Sequence, residues 1–203
     1  QLTFEESEEE IQLKELEPIS DNLVLKTVDL LKKRTNCNKG VKIALQKHIP
    51  LQKGLGGGSS DAAATLIALN KLWNLGLTQT ELLDMSLELG SDVPFFIFGH
   101  NAWAEGRGEI LSKVDFNEDW HLLYMPEAEI STKKAFEGLP SKFSRPFTYE
   151  EYSSGGGFNS FEKWARDSYE EIDEIFIKLE SIGKPRLSGT GSSVFVSFGK
   201  LEE

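Results

Sequence analysis

The sequence predicts an α+β protein of two domains, and three observations carry that reading. Segments that alternate apolar and polar residues with a period of two are interleaved with segments of helical period. A strand, a glycine-rich loop and an alanine-rich helix follow one another between Val41 and Trp73. The turn Gly106-Arg107-Gly108 and the short apolar pair Ile110-Leu111 close one half, and the other opens near Val114. With 39% hydrophobic and 27% charged residues, the 203-residue chain has the make-up of a globular protein, long enough for one large domain or two small ones.

The elements follow in order. Leu2-Thr3-Phe4 and Ile11-Gln12-Leu13 alternate like strands, with the acidic stretch 5–10 as an exposed, solvated connection between them. Over 21–34, Leu23, Val24, Val28, Leu30 and Leu31 mark the apolar side of a helix, and its basic end suits the helix dipole. Val41, Ile43 and Leu45 alternate as a strand leading into His48-Ile49-Pro50. A helix is expected from about Asp61 to Trp73, and another from Thr78, whose capping box is completed by Glu81 and whose stop is Gly90. Ser91-Asp92-Val93-Pro94 makes a tight connection into Phe95-Phe96-Ile97-Phe98. In the second half, Leu122-Leu123-Tyr124-Met125 predicts a buried strand ended by Pro126. The stretch 140–158 reads as a long mobile loop, with Gly155-Gly156-Gly157 supplying flexibility. A single helix is expected over 161–182, then strand, turn and strand through Arg186-Leu187, Gly189-Thr190-Gly191 and Val194-Phe195-Val196.

Several function classes are disfavoured by composition. A net charge of −11 does not suit a general nucleic-acid binder, which needs a basic face. No apolar run approaches the roughly 20 residues of a membrane-spanning helix. The single cysteine, Cys37, has no partner for an internal disulfide, so a reducing, cytoplasmic setting is expected, and Cys37 itself reads as a surface loop residue. His48, His100 and His121 share no ligand spacing, which disfavours zinc. The four tryptophans, Trp73, Trp103, Trp120 and Trp164, read as packing residues.

The glycine loop, Gly54-Leu55-Gly56-Gly57-Gly58-Ser59-Ser60, is the most informative stretch. It has four glycines in seven residues, is entered from a strand and leaves onto a helix. Glycines let backbone N–H groups approach a ligand closely, and the following helix adds the positive end of its dipole, so the pattern suits a phosphate. Ser59 and Ser60 would cap the helix or reach a phosphate or its magnesium. A Walker A loop does not fit, because Lys53 precedes the glycines; the dinucleotide fingerprint fails because Ser59 stands where its third glycine belongs.

At this level of detail the chain resembles a known family. Pro50-Leu51-Gln52-Lys53-Gly54-Leu55-Gly56-Gly57-Gly58-Ser59-Ser60-Asp61-Ala62-Ala63 resembles the ATP-binding motif of the GHMP kinases. Leu89-Gly90-Ser91-Asp92-Val93-Pro94-Phe95-Phe96, Ala104-Glu105-Gly106-Arg107-Gly108-Glu109, Ile130-Ser131-Thr132 with Phe136, and Leu187-Ser188-Gly189-Thr190-Gly191-Ser192 resemble further motifs of the branch that acts on a cytidine diphosphate ester, with Ser91 in place of the usual alanine.

The resemblance implies a GHMP kinase fold, with an S5 domain 2-like ATP-binding domain over 1–112 and a ferredoxin-like domain over 113–203. It implies an enzyme that moves the γ-phosphate of ATP, with Mg²⁺, onto an alcohol of a small-molecule substrate in non-mevalonate isoprenoid synthesis. By the same likeness Asp92 is the catalytic carboxylate. Pro50, Leu51, Gln52, Lys53, Gly54, Leu55, Gly56, Gly57, Gly58, Ser59 and Ser60 wrap the ATP phosphates, Gly189, Thr190 and Gly191 support the site, and Thr132 and Phe136 hold the cytosine end of the substrate. Without the likeness, Asp92 reads equally as a cap before Pro94, and Phe136 as the apolar anchor of a short helix capped by Ser131. The family's upstream Pro-Ala-Lys-Leu-Asn and Asp-Gly-Tyr-His segments do not occur here, so the expectation is of a chain without that N-terminal part and its lysine. Two alternatives stand beside this reading: another GHMP small-molecule kinase, and a non-catalytic nucleotide-binding protein.

Overall fold

In the computed structural model, residues 1–15, 18–116, 119–139, 147–153 and 157–199 are described. The chain forms two compact units, Gln1–Ile49 with Gly56–Asp115, and Pro50–Leu55 with Phe116–Glu203. The expected boundary near 112 thus has an exception within the glycine loop, whose residues 50–55 cluster with the second unit.

The first unit is a three-stranded sheet backed by helices. Strands β1 (Leu2–Ser7) and β2 (Ile11–Glu15) flank β3 (Gly40–Leu45), β1 antiparallel to it with Phe4 opposite Ile43, β2 parallel with Leu13 opposite Ile43. β1 runs further than the alternation of Leu2 and Phe4 suggested, because Glu5 and Glu6 pair with Lys42 and Val41 across the ladder. Helix α1 (Leu23–Thr35) starts where the Asn22 side chain accepts from the Val24 N–H at 2.9 Å and ends at Asn36 in the left-handed region. Helices α2 (Gly57–Leu72), α3 (Gln79–Ser86) and α4 (Val93–Phe98) follow, then a hairpin of β4 (Ala102–Glu105) and β5 (Ile110–Lys113). Val24, Val28 and Leu31 of α1 meet Ala62, Leu66 and Leu69 of α2 over Val41 and Ile43, all at 2% exposure or less. Removing such side chains from water stabilises by about 1.5–3 kcal/mol each. Trp73 closes this core and donates its indole N–H to the Gly40 carbonyl at 3.1 Å. Cys37, expected on a surface loop, is half-buried against the same core.

The second unit has a three-stranded antiparallel sheet, order β6 (Trp120–Tyr124), β8 (Val194–Phe198), β7 (Arg186–Leu187). The expected strand at 122–125 forms, but it is exposed rather than buried, since β6 is an edge of the sheet and α8 packs on β8. Trp120, read as a packing residue, is exposed with it. Helices α5 (Thr132–Glu137), α6 (Tyr149–Ser153), α7 (Glu162–Ser168) and α8 (Glu170–Glu180) complete the unit. α6 lies in the stretch expected to be loop; the rest of that expectation, 140–146 and 154–156, lies outside the described residues. The expected single helix over 161–182 is two. Tyr169 takes an extended conformation, φ −134° and ψ 102°, and Glu170, Glu171 and Asp173 begin α8 with the negative charge that a helix N-terminus favours. Ile172, Ile175, Phe176 and Leu179 of α8 form the core with Ile130, Leu187, Val194 and Val196.

Candidate active site

In the first unit, the phosphate-type elements assemble around the head of α2. The helix begins at Gly57, four residues earlier than periodicity suggested, so Gly57 and Gly58 lie in its first turn. Their lack of a side chain serves close packing. A Cβ on Gly57 would stand 3.1 Å from Ile49 and 3.2 Å from the Lys47 ammonium, and one on Gly58 3.4 Å from Leu23. Gly56 precedes the helix with φ of 66°, and a Cβ there would meet the ring of Phe96 at 2.8 Å. Neither a capping side chain nor an acidic residue occupies this first turn. Its N–H groups and the positive end of a 16-residue dipole are therefore open to an anion.

The paired serines do not cap α2, because both are inside it. Ser60 turns its hydroxyl back to the Gly57 carbonyl at 3.1 Å, whereas Ser59 makes no side-chain hydrogen bond among the described residues. Lys47, which sequence reasoning passed over, forms an ion pair with Asp61, both side chains about one-fifth exposed. The cation of this pair stands beside the first turn, 3.2 Å from where a Cβ on Gly57 would be. The available signal was its position two residues beyond the end of β3, in the approach to the glycine loop.

Asp92 occupies the N-cap position of α4 but makes no capping hydrogen bond. Among the described residues its carboxylate has no hydrogen-bonding or ionic partner, and it is exposed. Two packing contacts fix where it stands. Phe96, about 6 Å of helical rise further along α4, lies against Gly56. On the other side, Gly108 of the β4–β5 turn approaches Ser91 so closely that a Cβ on it would meet the Ser91 carbonyl at 2.2 Å. A side-chain-free turn backs the residue before Asp92, and the heads of α4 and α2 belong to one packed set.

In the second unit, the earlier half of the glycine loop packs on the later glycine turn. The Gly54 carbonyl accepts from the Ser188 hydroxyl at 2.8 Å, and a Cβ on Gly54 would stand 2.1 Å from the Ser188 carbonyl and 2.7 Å from that of Gly191. Ser188, Gly189 and Gly191 thus lie directly against the loop at Gly54. The Lys53 ammonium is buried, donating to the carbonyls of Pro126, Glu127 and Ala128 at 2.8, 3.1 and 3.0 Å. Pro50, Leu51 and Gln52 are exposed.

Thr132 and Phe136 lie on α5, whose N-cap Ser131 accepts from the Lys134 N–H at 3.2 Å. The inward anchor of that short helix is Ala135, which is fully buried. Phe136 is 60% exposed, steadied at one edge by Phe161 with ring centroids 5.0 Å apart and planes at 79°. A face so held open suits stacking on a base. No group of three His, Cys, Asp or Glu able to hold a metal occurs among the described residues.

Residues 22–100 match the family described as GHMP kinases N terminal domain. The crystal structure of a 4-(cytidine 5'-diphospho)-2C-methyl-D-erythritol kinase aligns with a TM-score of 0.77 at 28% identity, over 96% of this chain and 75% of that one. The matched domain and the aligned fold are those of the GHMP kinases. The chain is 41% identical over 182 residues to 4-diphosphocytidyl-2-C-methyl-D-erythritol kinase of Nitrosococcus oceani, covering 89% of this chain and 65% of the relative. It is 41% identical over 195 residues to the kinase of the same name from Acinetobacter baumannii, covering 93% and 70%. The chain belongs to the 4-diphosphocytidyl-2-C-methyl-D-erythritol kinase family, and it spans about two thirds of the length of these relatives.

Proposed function

We propose that the protein transfers the γ-phosphate of ATP to the 2-hydroxyl of 4-diphosphocytidyl-2-C-methyl-D-erythritol, a step of non-mevalonate isoprenoid synthesis. The observation that carries the proposal is the uncapped, exposed Asp92 carboxylate at the start of α4, the helix whose Phe96 packs on Gly56 at the open head of α2. In this reading the substrate hydroxyl gives its proton to Asp92 as its oxygen bonds the γ-phosphorus; the bond from that phosphorus to the β-bridging oxygen breaks, and ADP leaves. The first-turn N–H groups of α2 hold the phosphates, with Lys47 adding positive charge nearby. Mg²⁺ would come with the phosphates, for which few protein ligands are needed, and the Ser59 hydroxyl fits that role; the ion neutralises charge on the nucleotide. Gly189, Thr190 and Gly191 shape the other half of the loop through Gly54, and Thr132 and Phe136 take the cytidine end.

Ligand-dependent melting tests the assignment. The cytidine diphosphate ester should raise the melting temperature and homoserine or mevalonate should not, while Phe136→Ala should weaken binding of the ester by about 1–3 kcal/mol, the worth of one stacked base. Equal protection by homoserine would move the protein to another branch of the GHMP kinases.

A further inference from the structure

Lys53 is a cation placed in a proposed phosphate loop, yet its charge points away from any phosphate role. It is 8% exposed, and its three ammonium protons go to three consecutive main-chain carbonyls, those of Pro126, Glu127 and Ala128. An ammonium has three donors, so this set is complete. The same peptide segment is gripped from its other side. The Glu171 carboxylate, in the first turn of α8, accepts from the N–H groups of Glu127 and Ala128, each at 2.9 Å. A short run of peptide dipoles is therefore clamped between a buried cation and a carboxylate, in the sense that strengthens each bond of the chain. Further bonds join in. The Lys53 carbonyl accepts from the Ser193 N–H at 3.2 Å, the Gln52 carbonyl from the Ile130 N–H at 3.4 Å, and the Ser192 hydroxyl donates to the Ala128 carbonyl. The clamped segment leads straight into Ser131 and α5, which carries Thr132 and Phe136.

We infer that Lys53 is a positioning residue for the cytidine end of the site and not a nucleotide ligand: with Glu171 it fixes the segment 126–130, and through it α5, against the early half of the glycine loop. The inference rests on the proposed function for what α5 binds, but the clamp itself does not depend on that reading. A buried cation cannot leave three carbonyls for a phosphate without exposing them unpaired, which is why the geometry favours the clamp over the role that loop position alone suggests.

Two readouts test it on residues 1–203. Amide hydrogen exchange should be about tenfold faster at Glu127, Ala128 and Ile130 in Lys53→Met, the order of one lost charge-assisted bond. Amides of Ile175 in α8 and Val196 in β8 should be unchanged, which general destabilisation of the unit would not give. In parallel, titration should show affinity for cytidine 5'-diphosphate falling about tenfold, with affinity for a non-hydrolysable ATP analogue within about twofold. Glu171→Gln, which keeps Lys53 and the shape of its partner, should reproduce the exchange pattern and the selective loss more weakly, and it stands in if Lys53→Met does not fold. Lys53 would be a phosphate ligand, and the inference overturned, if the ATP analogue were lost selectively or the three amides kept their protection. Should the unmodified protein bind neither ligand, the proposed function fails and hydrogen exchange alone decides the clamp.

Discussion

A carboxylate at the N-cap of a helix ordinarily turns back to accept a backbone N–H, and Asp92 does not. The capping reading is thus without the hydrogen bond that defines it, and the two readings its sequence context allowed differ in what a substitution should do. An asparagine caps as well as an aspartate, so if capping were its purpose Asp92→Asn would be silent. As a proton acceptor it would not be: in an enzyme form that turns over, kcat should fall by about 10²–10⁴ with nucleotide affinity unchanged. Near-normal turnover of the variant would end the catalytic assignment. The places of Asp92 just before Pro94 and of the glycines between strand and helix were legible because residue type and order alone mark them. The exposure of Phe136 was not, since it depends on Ala135 taking the buried position of α5. Lys53 was misleading for a plain reason. Its carbonyl partners lie 73 to 75 residues further along the chain, where no local pattern announces them.

Among the elements, those whose boundaries are written in side chains were the ones the sequence located well. The start of helix α3 is the clearest case, although the helix ends at Ser86, short of the expected stop at Gly90. The Thr78 hydroxyl accepts from the Glu81 N–H at 3.3 Å, and the Glu81 carboxylate accepts from the Thr78 N–H at 2.8 Å and its hydroxyl at 2.7 Å. The Thr78 backbone bond first, and the hydroxyl second, hold the Glu81 carboxyl below the usual glutamate range. A lowered folded-state pKa stabilises above the unfolded value, and that stability is lost as pH falls through the folded one. Glu81→Gln should therefore lower the melting temperature at neutral pH, with the gap to the parent closing under acid. A gap that widened in acid would contradict the capping box as its source. Thr78→Ala should cost about 1 kcal/mol in a urea titration at neutral pH. The elements that were misjudged have boundaries set by packing. α2 takes in Gly57 and Gly58, where Gly57 packs closely on Ile49 and Lys47, and α7 parts from α8 where Tyr169 packs its ring on Trp164, centroids 5.9 Å apart. Apolar residues do not reveal whether their strand will be central or an edge, hence the error over β6.

For the molecule as a whole, two features of opposite effect govern its behaviour in solution. A net charge of −11 makes copies repel one another. Against this, β6 presents Trp120, Leu122, Leu123 and Tyr124 in a run, each more than two-fifths exposed, on a strand that ends its sheet. Trp120, Leu122 and Tyr124 lie on the side of buried Val194 and Val196, opposite Phe198, Val196 and Val194 in register; Leu123 faces the other way, opposite Phe195. An apolar edge of this kind is a template for pairing with another chain. Salt shortens the reach of the repulsion from about 8 Å at 0.15 M to about 3 Å at 1 M while leaving the apolar edge intact. Raising NaCl to about 0.5 M should therefore promote self-association, seen as a growing sedimentation coefficient or scattered intensity. Leu123→Lys should suppress it without moving the melting temperature, because that side chain is outside the core. The substitution is chosen so that charge alone predicts the opposite: an added lysine reduces the net negative charge and, were repulsion the whole story, would make association easier. If Leu123→Lys associated as readily as the parent at high salt, the edge strand would not be the route.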